Sequence, residues 1–112
     1  GYGAHARGYL GHLDPRTGKV GEFQSPGGPD SKPYAIAVTA DGAIWYVETG
    51  DDTKNMLVRF NPESKKMLTW PIPSGGGTVC NMDIDKAGNL WLACSGTGKI
   101  ARVKIKSATA TQ

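Results

Sequence analysis

The stretch Asp41-Gly-Ala-Ile-Trp45 returns as Ala87-Gly-Asn-Leu-Trp91, 46 residues later. In both copies a glycine precedes a short run that ends on tryptophan. Glycine accepts a positive φ without steric cost, so each copy reads as a tight turn that opens a strand. The flanking sequence repeats too. Leu10-Gly-His-Leu-Asp-Pro15 matches Leu57-Val-Arg-Phe-Asn-Pro62 at an offset of 47, and Thr17, Lys19, Phe23 and Pro26 fall on Ser64, Lys66, Trp70 and Pro73. A third copy opens at Ile100-Ala-Arg-Val103, 43 residues after Leu57-Val-Arg-Phe60. A unit of roughly 43–47 residues is the period of a four-stranded propeller blade.

Each unit divides into short strands. The central one predicts strands at about 33–38, 43–48, 56–61 and 66–71, and the last unit at 79–84, 89–94 and 99–105. The first contributes only about 8–14 and 19–24. Asp14-Pro15 and Asn61-Pro62 open turns, with proline presetting φ. Ile100 to Ile105 alternates at period two, as a strand does. The expected fold is all-β: a single partial β-propeller over residues 1–112, about two and a half four-stranded blades. It comprises a half blade at 8–24, a full blade at 33–71 and a three-stranded blade lacking its last strand at 79–105. Known propellers close with roughly four to eight blades. Self-association, or pairing with missing blades, is therefore expected. A small open sheet or sandwich is the alternative.

Composition agrees. The 112 residues make at most one domain, and 16 glycines with 7 prolines leave little room for helices. With 38% apolar residues, 21% charged residues and a net charge of +3, the chain is not of the disordered class. No apolar run reaches membrane-spanning length, so no membrane partner is expected. Gly1 to Leu10 lack the apolar core of a signal peptide, so no address is expected and the compartment stays open. Arg102, Lys104 and Lys106 share a strand face without neighbouring aromatics in sequence. They read as a charged edge that discourages aggregation, so no nucleic-acid partner is expected. Gly98-Lys99 fails as a phosphate loop, because Ala93 and Ile100 stand where Gly and Ser or Thr belong. No nucleophile elbow surrounds Ser95. Gly75-Gly76-Gly77 reads as a loop.

Several side chains merit a functional reading beside a structural one. Glu48 ends a strand whose expected partner across the Asp41-Gly42 turn is Tyr34. It is either a polar group at a channel mouth or a solvated acid near Lys32 and Lys54. Asp51 and Asp52 could join it on a cation or remain loop acids. Trp45 and Trp91 recur at the repeat period and read as packing between blades. His5 and His12 have no orienting partner by spacing, and His12 reads as solvent-facing. Cys80 and Cys94, too few for a disulfide scaffold, are 14 apart about the second turn, as Tyr34 and Glu48 are about the first. That symmetry predicts two near neighbours on adjacent strands.

Tyr9-Leu-Gly-His-Leu-Asp-Pro-Arg-Thr-Gly-Lys19, Pro33-Tyr-Ala-Ile-Ala-Val-Thr-Ala-Asp-Gly-Ala-Ile-Trp-Tyr46 and Leu90-Trp-Leu-Ala-Cys-Ser-Gly96 resemble the streptogramin B (virginiamycin B) lyases. The resemblance covers about residues 8–105 and implies the C-terminal portion of a seven-bladed propeller. It implies an antibiotic-inactivating chemistry, the opening of a cyclic depsipeptide by elimination. A histidine base removes a proton beside a carbonyl, and a magnesium ion held by two glutamates stabilises the developing charge. The family's Glu-x-His falls on Lys32-Pro33-Tyr34, and its second glutamate on Glu48. In the next unit Cys80 takes the histidine's place and Cys94 the glutamate's. Tyr34 and Glu48 are the expected ligand-binding residues and Glu48 the expected metal ligand, with no catalytic residue assigned. A protonated lysine cannot ligate magnesium, and a phenol with a pKa near 10 is a poor base at pH 7. The expectation is a fragment or assembling subunit without lyase activity on its own. The alternative is a magnesium-dependent lyase once further blades complete it. A small-molecule ligand could bind in either case.

Overall fold

The computed structural model describes residues 1–5, 7–50, 55–72, 79–94 and 98–105, apart from the side chains of Val79 and Cys80. The expectations for Asp51, Asp52, residues 75–77, Ser95 and Lys106 lie outside the described residues. Among the described residues ten strands form: β1 (Tyr2–His5), β2 (Tyr9–Leu13), β3 (Val20–Gln24), β4 (Pro33–Val38), β5 (Ile44–Glu48), β6 (Met56–Phe60), β7 (Met67–Pro71), β8 (Val79–Ile84), β9 (Leu90–Cys94) and β10 (Lys99–Val103). They make three antiparallel sheets, ordered β1-β2-β3, β4-β5-β6-β7 and β10-β9-β8. The fold is an all-β partial propeller.

The first sheet has one strand more than the repeat predicts. Gly1-Tyr-Gly-Ala-His5 carries two glycines in five residues and shows no alternation, so strand propensity there is weak. Pairing supplies what propensity lacks. β1 runs antiparallel to β2 with Tyr2 opposite His12, and the Leu13 and Gly1 backbones exchange a hydrogen bond of 2.8 Å.

The sheets stack in chain order. β4 lies against both β1 and β8, so the first strands of consecutive sheets are neighbours. One face of the central sheet, with Ile44, Tyr46, Val58 and Phe60, packs on Leu10, Tyr2 and Phe23 of the first. The other, with Ala35, Trp45, Val47 and Leu57, packs on Met82, Leu90, Leu92 and Cys94 of the third. The central sheet is thus apolar on both sides. That explains why every residue of β5 is buried rather than every second one. Each large apolar side chain so buried contributes roughly 1.5–3 kcal/mol.

The tight turns form where the two glycines place them. Gly42 and Gly88 adopt φ of 86° and 88°. In the first turn Thr39 Oγ1 accepts from Trp45 Nε1 at 3.0 Å, and in the second Asp85 Oδ2 accepts from Trp91 Nε1 at 2.8 Å. Both indole N–H groups, the buried one of Trp45 and the exposed one of Trp91, are thereby satisfied, each by its own turn.

A glutamate clamped at the mouth of the central sheet

The candidate site lies where β4 begins and β5 ends. Lys32, just before Pro33, sits at φ 47°, a conformation that costs a side-chain-bearing residue roughly 1–2 kcal/mol. Thr49 holds it there, donating to the Lys32 carbonyl from its hydroxyl at 2.7 Å and its N–H at 3.1 Å. A register shift follows between Pro33 and Ile36. Pro33, not Tyr34, stands opposite Glu48. A bulge of this kind re-aims a side chain. Tyr34 is 59% exposed while Glu48 is only 4% exposed, so the expected facing pair does not form. Equidistance from the turn predicts pairing only for an unbroken ladder, and the bulge breaks it.

Glu48 is bound into the fold instead. Its Oε2 accepts from Ser25 Oγ and from the Gly27 N–H, each at 2.6 Å. The Ser25 hydroxyl has one proton, directed to Glu48, so its oxygen accepts from Tyr46 OH at 2.9 Å. Burial pushes the Tyr46 phenol up to about 12, and the neighbouring Glu48 carboxylate adds to this. A Cβ at position 27 would lie 2.7 Å from Glu48 Oε2, so glycine is what lets this backbone reach the carboxylate. Beside the clamp lies an open cleft of about 300 Å³, lined by Asp30, Ser31, Glu48, Asn55 and Met56 among others. Ser25, Gly27 and the buried Asn55 have no repeat partner in the sequence reading. The signal for Ser25 and Gly27 is a Ser-Pro-Gly-Gly run directly after a strand, which marks a loop but not what the loop holds.

The equivalent place in the third sheet differs. A register shift between Val79 and Asn81 sets Val79 opposite Cys94, so Cys80 is not its ladder partner. Cys94 is buried in the apolar core, where burial pushes its thiol up; its Sγ lies 3.8 Å from the Leu92 carbonyl. A thiol in such a setting is a packing group. Two further expectations change. His12 is half-buried and stacked on Tyr2 at 4.2 Å rather than solvent-facing. Arg102 does have an aromatic beside it, since its guanidinium lies 5.8 Å from the centroid of Trp91 on the next strand.

No protein-family profile and no curated protein matches the sequence. Solved structures do match the fold. The chain is similar in fold to streptogramin B lyase. One streptogramin B lyase structure superposes with a TM-score of 0.70 at 21% identity, covering 86% of this chain and 30% of that one. A catalytically inactive histidine-to-alanine variant of virginiamycin B lyase from Staphylococcus aureus, with quinupristin, gives 0.69 at 22%, covering 89% and 35%. The chain spans about a third of the length of these lyases.

At the positions of the family's motif, Lys32, Tyr34 and Glu48, the residues do not fit a magnesium centre. Magnesium demands near-octahedral oxygen coordination, usually around one or two carboxylates. Here Glu48 Oε2 already accepts two hydrogen bonds, and the neighbouring positions offer an ammonium and a phenol. Among the described residues, no three His, Cys, Asp or Glu side chains converge.

Proposed function

We propose that this chain is a fragment or assembling subunit of a streptogramin-lyase-like propeller and has no lyase activity on its own. The observation that carries the reading is the Glu48 clamp. The one carboxylate matching the family pattern is committed to Ser25 and Gly27, while Lys32 and Tyr34 occupy the positions of the other metal ligand and the base. Proton abstraction beside a carbonyl needs a positioned base, and no histidine stands among the described residues of this mouth. What the mouth offers is an exposed phenol, a strained lysine and an oxygen-lined cleft. The cleft suits a small polar molecule seated beside Glu48.

The alternative is a magnesium-dependent lyase of cyclic depsipeptides assembled when further blades complete the ring. Its support is the likeness of the fold over most of the chain. One assay separates the two. The purified chain is incubated with quinupristin and magnesium, and the products are resolved by chromatography and mass. Elimination opens the ring without changing the mass, whereas hydrolysis adds a water. Unconverted quinupristin is the expected result; a linear isomer formed with multiple turnovers would overturn the proposal.

A further inference from the structure

In each sheet an aromatic ring on the strand at one repeat position stands opposite a cationic or imidazole side chain on the next strand. Tyr2 stands opposite His12, Trp45 opposite Arg59 and Trp91 opposite Arg102. In the first sheet the rings stack at 4.2 Å; in the other two the guanidinium lies 5.8 Å from the indole centroid. The first two pairs face the following sheet. Tyr2 meets Phe60 at 5.8 Å, and Trp45 lies in the core cluster that Val103 packs against. The third pair faces solvent: Trp91 is 40% exposed, and Ile100 beside it 74%. The receiving surface recurs as well. Phe60 and Val103 occupy one repeat position, and its counterpart in the first sheet is Leu13. Met67 packs against the other core cluster, and its counterpart is Val20. Leu13 and Val20 are 48% and 65% exposed. Leu13, Val20, Trp91 and Ile100 thus leave exposed, on the two outer faces, repeat positions that the internal interfaces cover.

We infer that the Trp91–Ile100 face of one copy receives the Leu13–Val20 face of a second copy, head to tail. The inference rests on the reading of the chain as an assembling propeller piece and names the partner surface. The occupant is a second copy because one chain carries both halves of a sheet-to-sheet interface that it already makes twice internally. Stacking a further first sheet on the third continues that series. Such a contact is heterologous, so every open assembly keeps one free face of each kind, at its two ends, until a ring closes.

The test uses sedimentation velocity across roughly 1–100 μM with two capping variants, since association by mass action depends on concentration. Ile100→Glu blocks one face and Val20→Glu the other, both at well-exposed positions. The wild type should associate with rising concentration, and each variant alone should be monomeric, with association weakened about 30-fold or more. An equimolar mixture should form a 1:1 dimer, since the intact Val20 face of one variant meets the intact Ile100 face of the other. Trp91→Glu and Leu13→Glu repeat the experiment if circular dichroism shows either first variant unfolded. A monomeric wild type throughout, a Val20→Glu variant that still self-associates, or a mixture that stays monomeric would overturn the inference. A monomeric wild type leaves standing a chain completed by blades of a different protein. Lyase turnover by the isolated chain would sink that functional reading without touching the interface.

Discussion

The Ser25 hydroxyl donates to Glu48 Oε2 at 2.6 Å and so ties the loop leaving the first sheet to the last residue of β5. The Gly27 N–H donates to the same oxygen, so one carboxylate fixes the passage between two sheets. Hydrogen bonds to an ionised acceptor each contribute roughly 1.5–3 kcal/mol, and their loss leaves buried donors unsatisfied. Glu48→Ala should therefore lower stability by about 2–4 kcal/mol in urea unfolding, and Glu48→Gln by less. A solvated or purely metal-binding glutamate would instead be removed at little cost, or with a gain, when no metal is present.

Lys32 holds a left-handed conformation directly before Pro33. Glycine relieves that strain but loses more entropy on folding, so the two effects nearly cancel. Lys32→Gly is expected to change stability by less than about 0.5 kcal/mol. Lys32→Val, whose branched Cβ crowds the same conformation, should cost about 1–2 kcal/mol. Equal effects from the two substitutions would contradict the positive φ.

Tyr46 predicts a response to alkaline pH. Its folded pKa is raised by burial from the ordinary 10.0 to about 12. Between those values the unfolded chain has released the proton and the folded chain retains it. Stability should be fully present below pH 10 and fall as pH rises towards 12, by up to about 2 kcal/mol. Tyr46→Phe should flatten that decline. Its cost at neutral pH, about 1 kcal/mol, reflects the lost hydrogen bond to Ser25. A decline of unchanged slope in the variant would assign the pH response to another group.

Trp45 and Trp91 occupy one repeat position but opposite environments, fully buried and 40% exposed. Trp45→Ala should cost about 3–5 kcal/mol, with loss of the folded state as the extreme outcome. Trp91→Ala, measured at a concentration where the chain is monomeric, should cost less than about 1.5 kcal/mol. Similar costs would mean that the outer face of the third sheet is covered within the monomer.

The repeat was legible because its punctuation is chemical: Gly42, Gly88, Pro15 and Pro62 mark turns whose geometry few other residues satisfy. Nine of the ten strands follow from that punctuation within one or two residues. β1 was hidden because its place depends on the ladder with β2 rather than on its own residues. The candidate site was legible in location but not in connectivity. Counting outward from Asp41-Gly42 reaches Tyr34 and Glu48, yet the bulge after Pro33 is a property of two strands together. The clamp on Glu48 spans 21 and 23 residues of sequence, beyond the reach of local pattern. His12 and Arg102 were misread for the same reason, since their ring partners lie on neighbouring strands.

The most direct measurement is calorimetric titration of magnesium into the purified chain, because the central claim is that the Glu48 carboxylate serves the fold and not a metal. The account predicts no stoichiometric heat at millimolar magnesium and an unfolding midpoint that magnesium leaves unchanged. Tight 1:1 binding that Glu48→Gln abolishes, with a matching rise in the wild-type midpoint, would contradict it.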